Sequence, residues 1–341
     1  MLSPESVLEA QTRIGPYLAR TPLLESSLLN SWLGHDLVFK VESFQRTGAF
    51  KARGALNALL LAKSKGKAVD KVVTVSSGNH GQAIAWAGRL LQLRVTVFAP
   101  ADISTVKRQA MEGYGAQVIA TNTRAEAETA VEAMKESGAH FVHPYDDDDV
   151  IAGQGTACLE ALQDTAQHPT AIFGPCGGGG LLSGTILATD TQTHRVPVFG
   201  AEPALGNDAV RSYRSKAIVR LPESPPTIAD GARTLAVSAR TLQHLLRLEN
   251  FYEVSEEEIC YWAQWLPTLL KVAVEPTSAV AMGGALEWLK SQHTRQRVLV
   301  ILSGGNIDRL TYQKIWKDDL LREAPNSRMH DSRDSNDRRA L

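Results

Sequence analysis

The chain has 341 residues, of which 43% are hydrophobic and 21% charged, so it is too long for one small domain and too apolar for a disordered protein. Its 36 basic and 37 acidic side chains leave a net charge of -1, which gives no global field for binding nucleic acid or an anionic membrane. The three cysteines form no CxxC pair, and no uncharged apolar run reaches the roughly 20 residues of a membrane span, so we expect a cytoplasmic protein without a zinc knuckle, disulfide framework or membrane segment.

Short β-branched runs alternate with segments of helical periodicity through most of the chain. Such near-continuous apolar strands are typical of parallel sheets that carry helices on both faces. Pro197 cannot donate to a strand ladder, so its run is expected to be a strand start or an edge strand. The pattern predicts an α/β fold, and the length favours two lobes. In chain order, the predicted strands are 71–75, 95–98, 171–174, 196–200 and 298–302, and the predicted helices are 82–91, 104–114, 125–135, 155–162, 256–270 and 278–289.

The C-terminal segment 322–341 differs from the rest of the chain in composition. Asn, Ser, Asp and Arg predominate in it, and few of its side chains are apolar. So little apolar surface does not offset the conformational entropy that ordering the segment would cost. We therefore predict that this segment is a disordered tail.

Lys51 lies in a partly apolar segment and is flanked by Gly48 and Gly54. Burial of a lysine lowers the pKa of its amine and makes the amine usable as a nucleophile or a base. Lys51 is therefore a candidate catalytic residue. An ordinary exposed lysine is the alternative that the spacing leaves open.

A polar cluster follows the strand 71–75 and contains Ser76, Ser77, Asn79 and His80. Backbone N–H groups and side-chain donors at such a turn hold a carboxylate. We therefore predict a carboxylate-binding loop here. A serine that only caps the following helix is the alternative.

Four consecutive glycines, 177–180, follow the strand 171–174 and precede a helical stretch. Backbone N–H groups without side chains in the way converge on an anion at a helix N-terminus, so this turn predicts a phosphate cup. It lacks the Gly-Lys-Ser/Thr ending of a P-loop, and a tightly packed turn is the alternative. The loop 303–306, Ser-Gly-Gly-Asn, also follows a strand, at the edge where open α/β sheets bind ligands.

Together and in this order, the four segments resemble the fold-type II pyridoxal-phosphate enzymes, specifically the serine/threonine dehydratase and serine racemase family, over about residues 10–320. The resemblance implies a two-domain α/β fold of open twisted sheets, of the tryptophan synthase β-like type. It implies a large cofactor-binding domain of residues 1–68 and 146–321 and a small substrate-loop domain of residues 69–145. We further expect a homodimer that acts on a small amino acid.

The resemblance also implies roles for individual residues. Lys51 would form the Schiff base with pyridoxal 5'-phosphate, and Ser77 would be the second catalytic residue, since racemases carry serine and many dehydratases alanine at this position. Ser77 would then exchange a proton on the face opposite Lys51. A neutral Ser303 facing the pyridine nitrogen would moderate the electron sink and suit elimination. The cofactor would be bound by Phe50, Lys51, Asn79, Gly177, Gly178, Gly179, Gly180, Leu181 and Ser303, and the substrate by Ser76, Ser77, Asn79 and His80.

Glu202, Gly206 and Asp208 resemble the divalent-cation site of the racemase-like branch of that family. Two carboxylates with the Gly206 carbonyl between them offer hard oxygen ligands, which water completes around Mg²⁺ or Ca²⁺. An ordinary acidic loop is the alternative. The segment 227–231 matches another stretch of the family, near the substrate and, in racemases, near a nucleotide site.

The chain departs from the family pattern in two places. Ala49 replaces the serine that commonly precedes the Phe-Lys pair, and the segment around Arg124 matches only in part. Arg124 is a candidate to meet a second substrate carboxylate, as in 3-hydroxyaspartate, or else a solvated arginine at a helix start. The histidines other than His80, including His143, show no metal-ligand spacing and receive no catalytic role.

These features favour a lyase that dehydrates a small β-hydroxy amino acid such as threonine or serine to an oxoacid and ammonia. The leading alternative is a racemase of serine or a related amino acid that uses Lys51 and Ser77. β-Replacement chemistry matches the loop motifs less well. A catalytically silent relative is disfavoured because the lysine and the glycine turn are both present.

Overall fold

The structure is a computed structural model that describes residues 2–64, 69–101 and 103–329, without the side chains of residues 124 and 125. Its strands form two sheets, in which every pair is parallel except for the antiparallel first strand. The larger sheet has the spatial order β1 (Leu23–Leu24), β2 (Asp36–Val41), β10 (Arg297–Leu302), β7 (Ala171–Pro175), β8 (Val198–Pro203) and β9 (Asn250–Val254). The smaller sheet has the order β5 (Gln117–Thr121), β4 (Arg94–Pro100), β3 (Lys71–Val75) and β6 (His140–Phe141).

Helices connect the strands and cover the sheets. In the described part of the chain, no helix combines the length and the apolarity that crossing a bilayer requires. The α-helices are α1 (Pro4–Ile14), α2 (Ser27–Leu33), α3 (Lys51–Ser64), α4 (Asn79–Leu90), α5 (Thr105–Gly113), α6 (Arg124–Glu136), α7 (Asp148–Asp164), α8 (Gly180–Asp190), α9 (Asp208–Ser215), α10 (Ala239–Leu245), α11 (Glu256–Leu270), α12 (Pro276–Leu289) and α13 (Arg309–Ile315). Short 3₁₀ helices span Glu42–Phe44, Ala204–Gly206, Asp230–Ala232 and Pro325–Arg328.

Both faces of the larger sheet are apolar, as the unbroken hydrophobic strands predict. Adjacent residues of β7 show this, because Ile172 belongs to the apolar cluster on one face and Phe173 to the cluster on the other. Phe173 stacks on Phe199 of β8 with ring centroids 4.7 Å apart. β8 begins at Val198, so Pro197 stands just before a strand that lies inside the sheet, where the proline removes no ladder donor.

The two sheets belong to two lobes that helix α3 links. Its first residue, Lys51, lies beside the larger sheet, while Ala55, Leu56 and Leu59 pack with Val72 in the core of the smaller lobe. Part of α3, which the predicted division assigns to the large domain, therefore contributes to the small lobe's core. The domain boundaries themselves stay a prediction.

The expectation of a disordered tail from residue 322 is wrong for its first part. Residues 325–328 form a 3₁₀ helix, and the Arg328 guanidinium lies 3.8 Å from the centroid of the Tyr261 ring. The Glu323 carbonyl accepts hydrogen bonds from the Tyr261 hydroxyl at 2.8 Å and from the Trp265 indole at 3.1 Å. These aromatic and ionic contacts offset the ordering entropy that the tail's own composition does not. Residues 330–341 lie outside the described part of the chain.

Candidate active site

A cavity of about 600 Å³ opens where the carboxyl ends of strands from both sheets meet. This is the edge at which open α/β sheets bind ligands. Lys51 and Phe50 enter the cavity wall from the start of α3. The ends of six strands contribute the residues Val75, Ser76 and Ser77 (β3), Pro100 (β4), Thr121 (β5), Phe141 (β6), Pro175 and Gly177 (β7) and Ser303 (β10).

The Lys51 amine is held inside this cavity. Its Nζ donates to the Pro144 carbonyl at 2.9 Å and lies 5.1 Å from the centroid of the Phe50 ring. Burial lowers the pKa of Lys51 to about 8, although the nearby Glu275 carboxylate favours the charged amine. The amine is therefore available as a nucleophile or base near neutral pH, which agrees with the candidate role.

The four glycines form a tight turn between β7 and α8. A side chain on Gly178 would place its Cβ 2.2 Å from carbons of the Tyr145 ring, and one on Gly177 would come 2.7 Å from the Gly231 carbonyl oxygen. Gly179 has a positive φ of 88°, which favours glycine. Gly177, Gly178, Gly180 and Leu181 line the cavity, whereas Gly179 does not.

This turn has the geometry of an anion site. It opens the 11-residue helix α8, whose first N–H groups and dipole favour a negative charge at the cavity wall. Side chains on Gly177 and Gly178 would collide with the Gly231 carbonyl and with Tyr145, so only glycine keeps the turn open at these two positions. The residues present therefore fit a cofactor phosphate.

Asn79 lies in a buried polar network that the sequence did not reveal. Its Nδ2 donates to both Glu275 oxygens at 3.0 Å, and its Oδ1 accepts from Asn306 Nδ2 at 2.9 Å. Burial raises the pKa of Glu275 to about 7, and the Asp230 carboxylate adds to the rise. Glu275 lines the cavity, and the only sequence signal for it is a carboxylate set between Val274 and Pro276.

The two serines and the histidine that follow β3 differ in what they contact. Ser76 Oγ accepts from the backbone N–H groups of Gly78 at 3.2 Å and Gly81 at 2.9 Å, so it holds the turn. Ser77 lines the cavity. His80 Nε2 lies 3.2 Å from the Val142 carbonyl, and burial lowers the pKa of the ring to about 3, which keeps it neutral.

Ser303 is buried at the end of β10, on the cavity wall. Its Oγ lies 3.0 Å from Ser278 Oγ, which donates to the Gly304 carbonyl and accepts from the Gly304 N–H, each at 2.8 Å. The Ser278 proton is thus committed to a carbonyl. This arrangement gives the cavity wall a neutral hydroxyl rather than a carboxylate.

Two carboxylates lie outside the cavity, on the far side of the glycine turn. Glu202 and Asp208 are fully buried, and among the described residues neither oxygen of Asp208 has a hydrogen-bond partner. Burial raises the pKa of Asp208 to about 7, and burial together with the Asp208 charge raises the pKa of Glu202 well above its usual value. An unpartnered buried carboxylate beside a second one fits a hard cation.

The carboxylate pair offers a cation few side-chain ligands. No group of three or more histidine, cysteine, aspartate or glutamate side chains in the described ranges could hold a metal. Any cation there would depend on two carboxylates, carbonyls such as that of Gly206, and water. Both carboxylates raise the pKa of the Cys176 thiol, second to its burial, so the pair lies close to the residue that precedes the glycine turn.

The structure also adds residues to the cavity wall. His143, which received no catalytic role from its sequence context, lines the cavity, and its Nδ1 accepts from the N–H groups of Tyr145 at 3.3 Å and Asp146 at 2.8 Å. From the segment 227–231, Asp230 and Gly231 face the cavity, while Thr227 donates to Glu256 at 2.6 Å. The side chain of Arg124 lies outside the described part of the structure.

A parallel-sheet cavity with a buried lysine and a glycine turn at a helix start defines a class of enzymes that bind a phosphorylated carbonyl cofactor. Comparison with known proteins gives the family: the sequence model described as "Pyridoxal-phosphate dependent enzyme" matches residues 14–304. The chain belongs to this family. The resemblance drawn from the motifs and the fold expected from it are thereby confirmed.

Several relatives resemble most of the chain. An L-threo-3-hydroxyaspartate ammonia-lyase of Saccharomyces cerevisiae is 41% identical over 309 residues, covering 90% of this chain and 94% of the relative. A serine racemase of Dictyostelium discoideum is 37% identical, covering 91% and 97%. The crystal structure of a T.th. threonine deaminase has a TM-score of 0.83 at 39% identity, covering 90% of this chain and 99% of that one.

Proposed function

We propose that the protein is an ammonia-lyase that dehydrates a small β-hydroxy amino acid, such as threonine or serine, to an oxoacid and ammonia. The observation that carries the proposal is the buried Lys51 amine with a pKa lowered to about 8, in one cavity with the glycine turn. When bound, pyridoxal phosphate supplies an electron sink that acidifies the substrate Cα–H. The remaining steps belong to side chains of this chain.

Lys51 would first hold the cofactor and then, once displaced by the substrate amine, remove the Cα proton. The Pro144 carbonyl, 2.9 Å from Nζ, keeps the freed amine in the cavity. The loop 76–80 would bind the substrate carboxylate, Gly177 to Leu181 the cofactor phosphate, and Asn79 and Phe50 the cofactor ring. Ser303, a neutral hydroxyl, would leave the pyridine nitrogen unprotonated, which supports elimination over reactions that need a stronger electron sink.

A dicarboxylic substrate, 3-hydroxyaspartate, is the second candidate. Arg233 lines the cavity, and its Nε and Nη2 both donate to the Thr227 carbonyl, at 2.9 and 2.7 Å, which fixes the guanidinium. In the described residues it forms no ion pair. A fixed arginine without a carboxylate partner suits a second substrate carboxylate. The relatives of Saccharomyces cerevisiae and of Pseudomonas sp act on L-threo-3-hydroxyaspartate by their names.

Racemisation of serine or a related amino acid stays the alternative reaction. It needs a second base on the face opposite Lys51, and Ser77 lines the cavity. Relatives such as those of Dictyostelium discoideum and Schizosaccharomyces pombe are serine racemases by name. Both reactions begin with loss of the same Cα proton, so one site could support both in different proportions.

The proposal is tested by reducing the holoenzyme with borohydride and mapping the labelled residue. We expect pyridoxal phosphate on Lys51 in the native protein, none in Lys51→Ala, and an unchanged result in Lys63→Ala, an exposed lysine on the same helix. L- and D-forms of threonine, serine and 3-hydroxyaspartate are then assayed for oxoacid and for chirality. Label on another lysine, or no oxoacid from any of them, contradicts the proposal.

We also propose that Glu202, Asp208 and the Gly206 carbonyl bind Mg²⁺ or Ca²⁺ and that the enzyme is a cytoplasmic homodimer. Support for the cation comes from the unpartnered Asp208 oxygens. The proposal of a dimer rests on the resemblance. The proposed cytoplasmic location also rests on the cysteines, which form no disulfide in the described part of the chain. Equilibrium sedimentation tests the dimer directly.

A further inference from the structure

Four charged side chains form a buried cluster that the proposed reaction does not use. Arg53 comes from α3, Glu160 from α7, Lys40 from β2 and Glu42 from the 3₁₀ helix after it. Arg53, Lys40 and Glu42 have no solvent exposure, and Glu160 has 7%. Two cations and two carboxylates make the cluster electrically neutral, so it attracts no charged ligand.

Arg53 lies at the centre of the cluster and forms hydrogen bonds with a carboxylate on each of two sides. Its Nε and Nη2 donate to the two Glu42 oxygens at 2.7 and 2.8 Å. Its Nη1 and Nη2 donate to the two Glu160 oxygens, both at 2.8 Å. Lys40 Nζ donates to Glu160 at 2.9 Å and to the Thr21 carbonyl at 2.7 Å. Two bidentate pairs fix the guanidinium plane as no single pair does.

Stability alone does not account for this arrangement. Taking two ion pairs out of water costs free energy that packed apolar side chains of similar volume would not cost, so such clusters contribute little net stability. What they impose is one geometry, since removing or shifting any member leaves a buried charge unpaired. The cluster therefore fixes the positions of the elements that carry it.

The element that matters for the cavity is the first turn of α3. Lys51 is the first residue of this helix and Arg53 the third, and a helix turns by about 100° per residue. The two side chains thus leave the helix on nearly opposite faces. Rotating the turn to release Arg53 would swing Lys51 out of its place beside Pro144 and Phe50.

A close helix contact supports the same turn. The backbone of Arg53 approaches α7 so closely that a Cβ on Gly153 would lie 2.6 Å from the Arg53 carbonyl oxygen. Glu160 is on α7 as well, two turns further along. Helix α7 therefore holds Arg53 by both its backbone and its guanidinium.

We propose that Arg53, clamped by Glu42, Glu160 and Lys40, is a positioning residue that orients the Lys51 amine toward the bound cofactor. The inference rests on the proposed role of Lys51. Arg53 itself does not line the cavity. A lysine in its place would keep the charge but lose both bidentate pairs.

The test compares covalent attachment of the cofactor with its non-covalent binding. Arg53→Lys is expected to slow the formation of the borohydride-reducible linkage between Lys51 and the cofactor by about tenfold or more. It is also expected to shift the pH profile of that rate. The affinity for 4'-deoxypyridoxine phosphate, which fills the site but has no carbonyl, is expected to stay unchanged. Arg13→Lys is the matched control, because Arg13 donates to Asn57 of the same helix at 2.6 Å outside the cluster.

Thr21→Val is the second variant, in case Arg53→Lys does not fold. It removes only the hydroxyl that donates to Glu42 at 2.6 Å, and a smaller slowing in the same direction is expected. A native linkage rate and pH profile in folded Arg53→Lys, or in Thr21→Val if that variant alone folds, overturns the inference. Equal losses in linkage rate and analogue affinity also overturn it, because they indicate general damage. Absence of any Lys51 linkage in the native protein instead overturns the proposed function.

Discussion

Lys51 and Ser77 line the same cavity, and the proposed chemistry gives them different tasks. Lys51 would remove the Cα proton before elimination, while Ser77 would only exchange a proton on the other face. A serine hydroxyl has a high pKa and needs support from its neighbours to act as a base. Under this proposal, the balance between dehydration and racemisation would depend on Ser77.

Ser77→Ala is expected to keep dehydration of L-substrates within about tenfold of the native rate and to abolish racemisation. The two reactions share the first proton transfer but not the second base, so they should not fall together. Oxoacid release and enantiomer exchange are measured on one preparation after cofactor occupancy is checked. Ser76→Ala is the control: Ser76 holds the turn through the Gly78 and Gly81 N–H groups, so its loss should lower both reactions equally.

Complete loss of dehydration in cofactor-loaded Ser77→Ala would mean that Ser77 takes part in elimination. The division of labour between the two residues would then be wrong.

Asp208 provides a pH-dependent test of the cation site. Its carboxyl pKa is raised to about 7, so the folded state binds its proton more tightly than the unfolded state does. Proton binding at Asp208 therefore contributes to the free energy of unfolding. This contribution is fully present below the usual aspartate pKa and is lost as the pH rises through about 7. A bound cation reverses this loss, because it stabilises the carboxylate form.

In chelator, the native protein should therefore melt at a lower temperature at about pH 8 than at about pH 5.5, and Mg²⁺ or Ca²⁺ should restore the melting temperature only at the higher pH. Glu275 titrates in the same range, so the comparison is made against Asp208→Asn, which keeps Glu275. That variant should show no response to the cation. Identical melting curves with chelator and with cation at high pH would show that Glu202 and Asp208 do not bind the cation.

At the level of elements, the glycine turn and the Tyr145 ring form one unit. The Tyr145 hydroxyl donates to the Ala236 carbonyl at 3.0 Å, which holds the ring against Gly178. Gly178→Ala should push this ring aside and weaken cofactor affinity by about tenfold, or roughly 1.4 kcal/mol. Gly113→Ala, where an added Cβ meets nothing within 4 Å, should leave the affinity unchanged.

Equilibrium dialysis of pyridoxal phosphate measures this effect. The double variant Gly178→Ala with Tyr145→Ala should recover part of the lost affinity if the ring is the obstacle. Native affinity in Gly178→Ala alone would mean that the glycine is needed only for folding.

The elements differ in how well the sequence predicts them. The five predicted strands are all present, because buried parallel strands are continuous apolar runs. The other five strands, β1, β2, β5, β6 and β9, were not predicted, and two of them, β1 and β6, are only two residues long. Helix α7 begins at Asp148 and not near residue 155, because Asp147 accepts from the N–H groups of Asp149 and Val150 and so caps the helix. Its run of aspartates has the composition of a loop.

The residues of the candidate site also differ in how well the sequence predicts them. Lysine, glycine and serine motifs adjacent in sequence could be found from the sequence, since each is one local turn. Glu275 could not, because its role depends on Asn79 and Asn306, which come from distant parts of the chain. The cluster around Arg53 was missed for the same reason, since its contacts with Glu160 span 107 positions.

For the whole molecule, the relation between the two lobes decides the shape of the cavity. An ion pair joins them directly: Lys107 of α5, in the small lobe, pairs with Asp230 of the large lobe. Lys107 is buried, and Asp230 lines the cavity. The pair therefore joins the lobes at the cavity wall, on what the proposed function makes the substrate side. The glycine turn belongs to the large lobe, and Lys51 to the first turn of α3.

Lys107→Met should loosen the contact between the lobes on this side of the cavity and lower kcat/KM by about tenfold, mainly through KM, because the two lobes would no longer be held together around the bound substrate. Cofactor retention should not change. Lys290→Met is the matched control, since Lys290 pairs with Glu287 within one exposed helix turn. Steady-state kinetics and cofactor absorbance on the same preparations decide the outcome. A native KM in Lys107→Met would show that the lobes close without this pair, and cofactor loss would show that the pair supports the whole site rather than its substrate side.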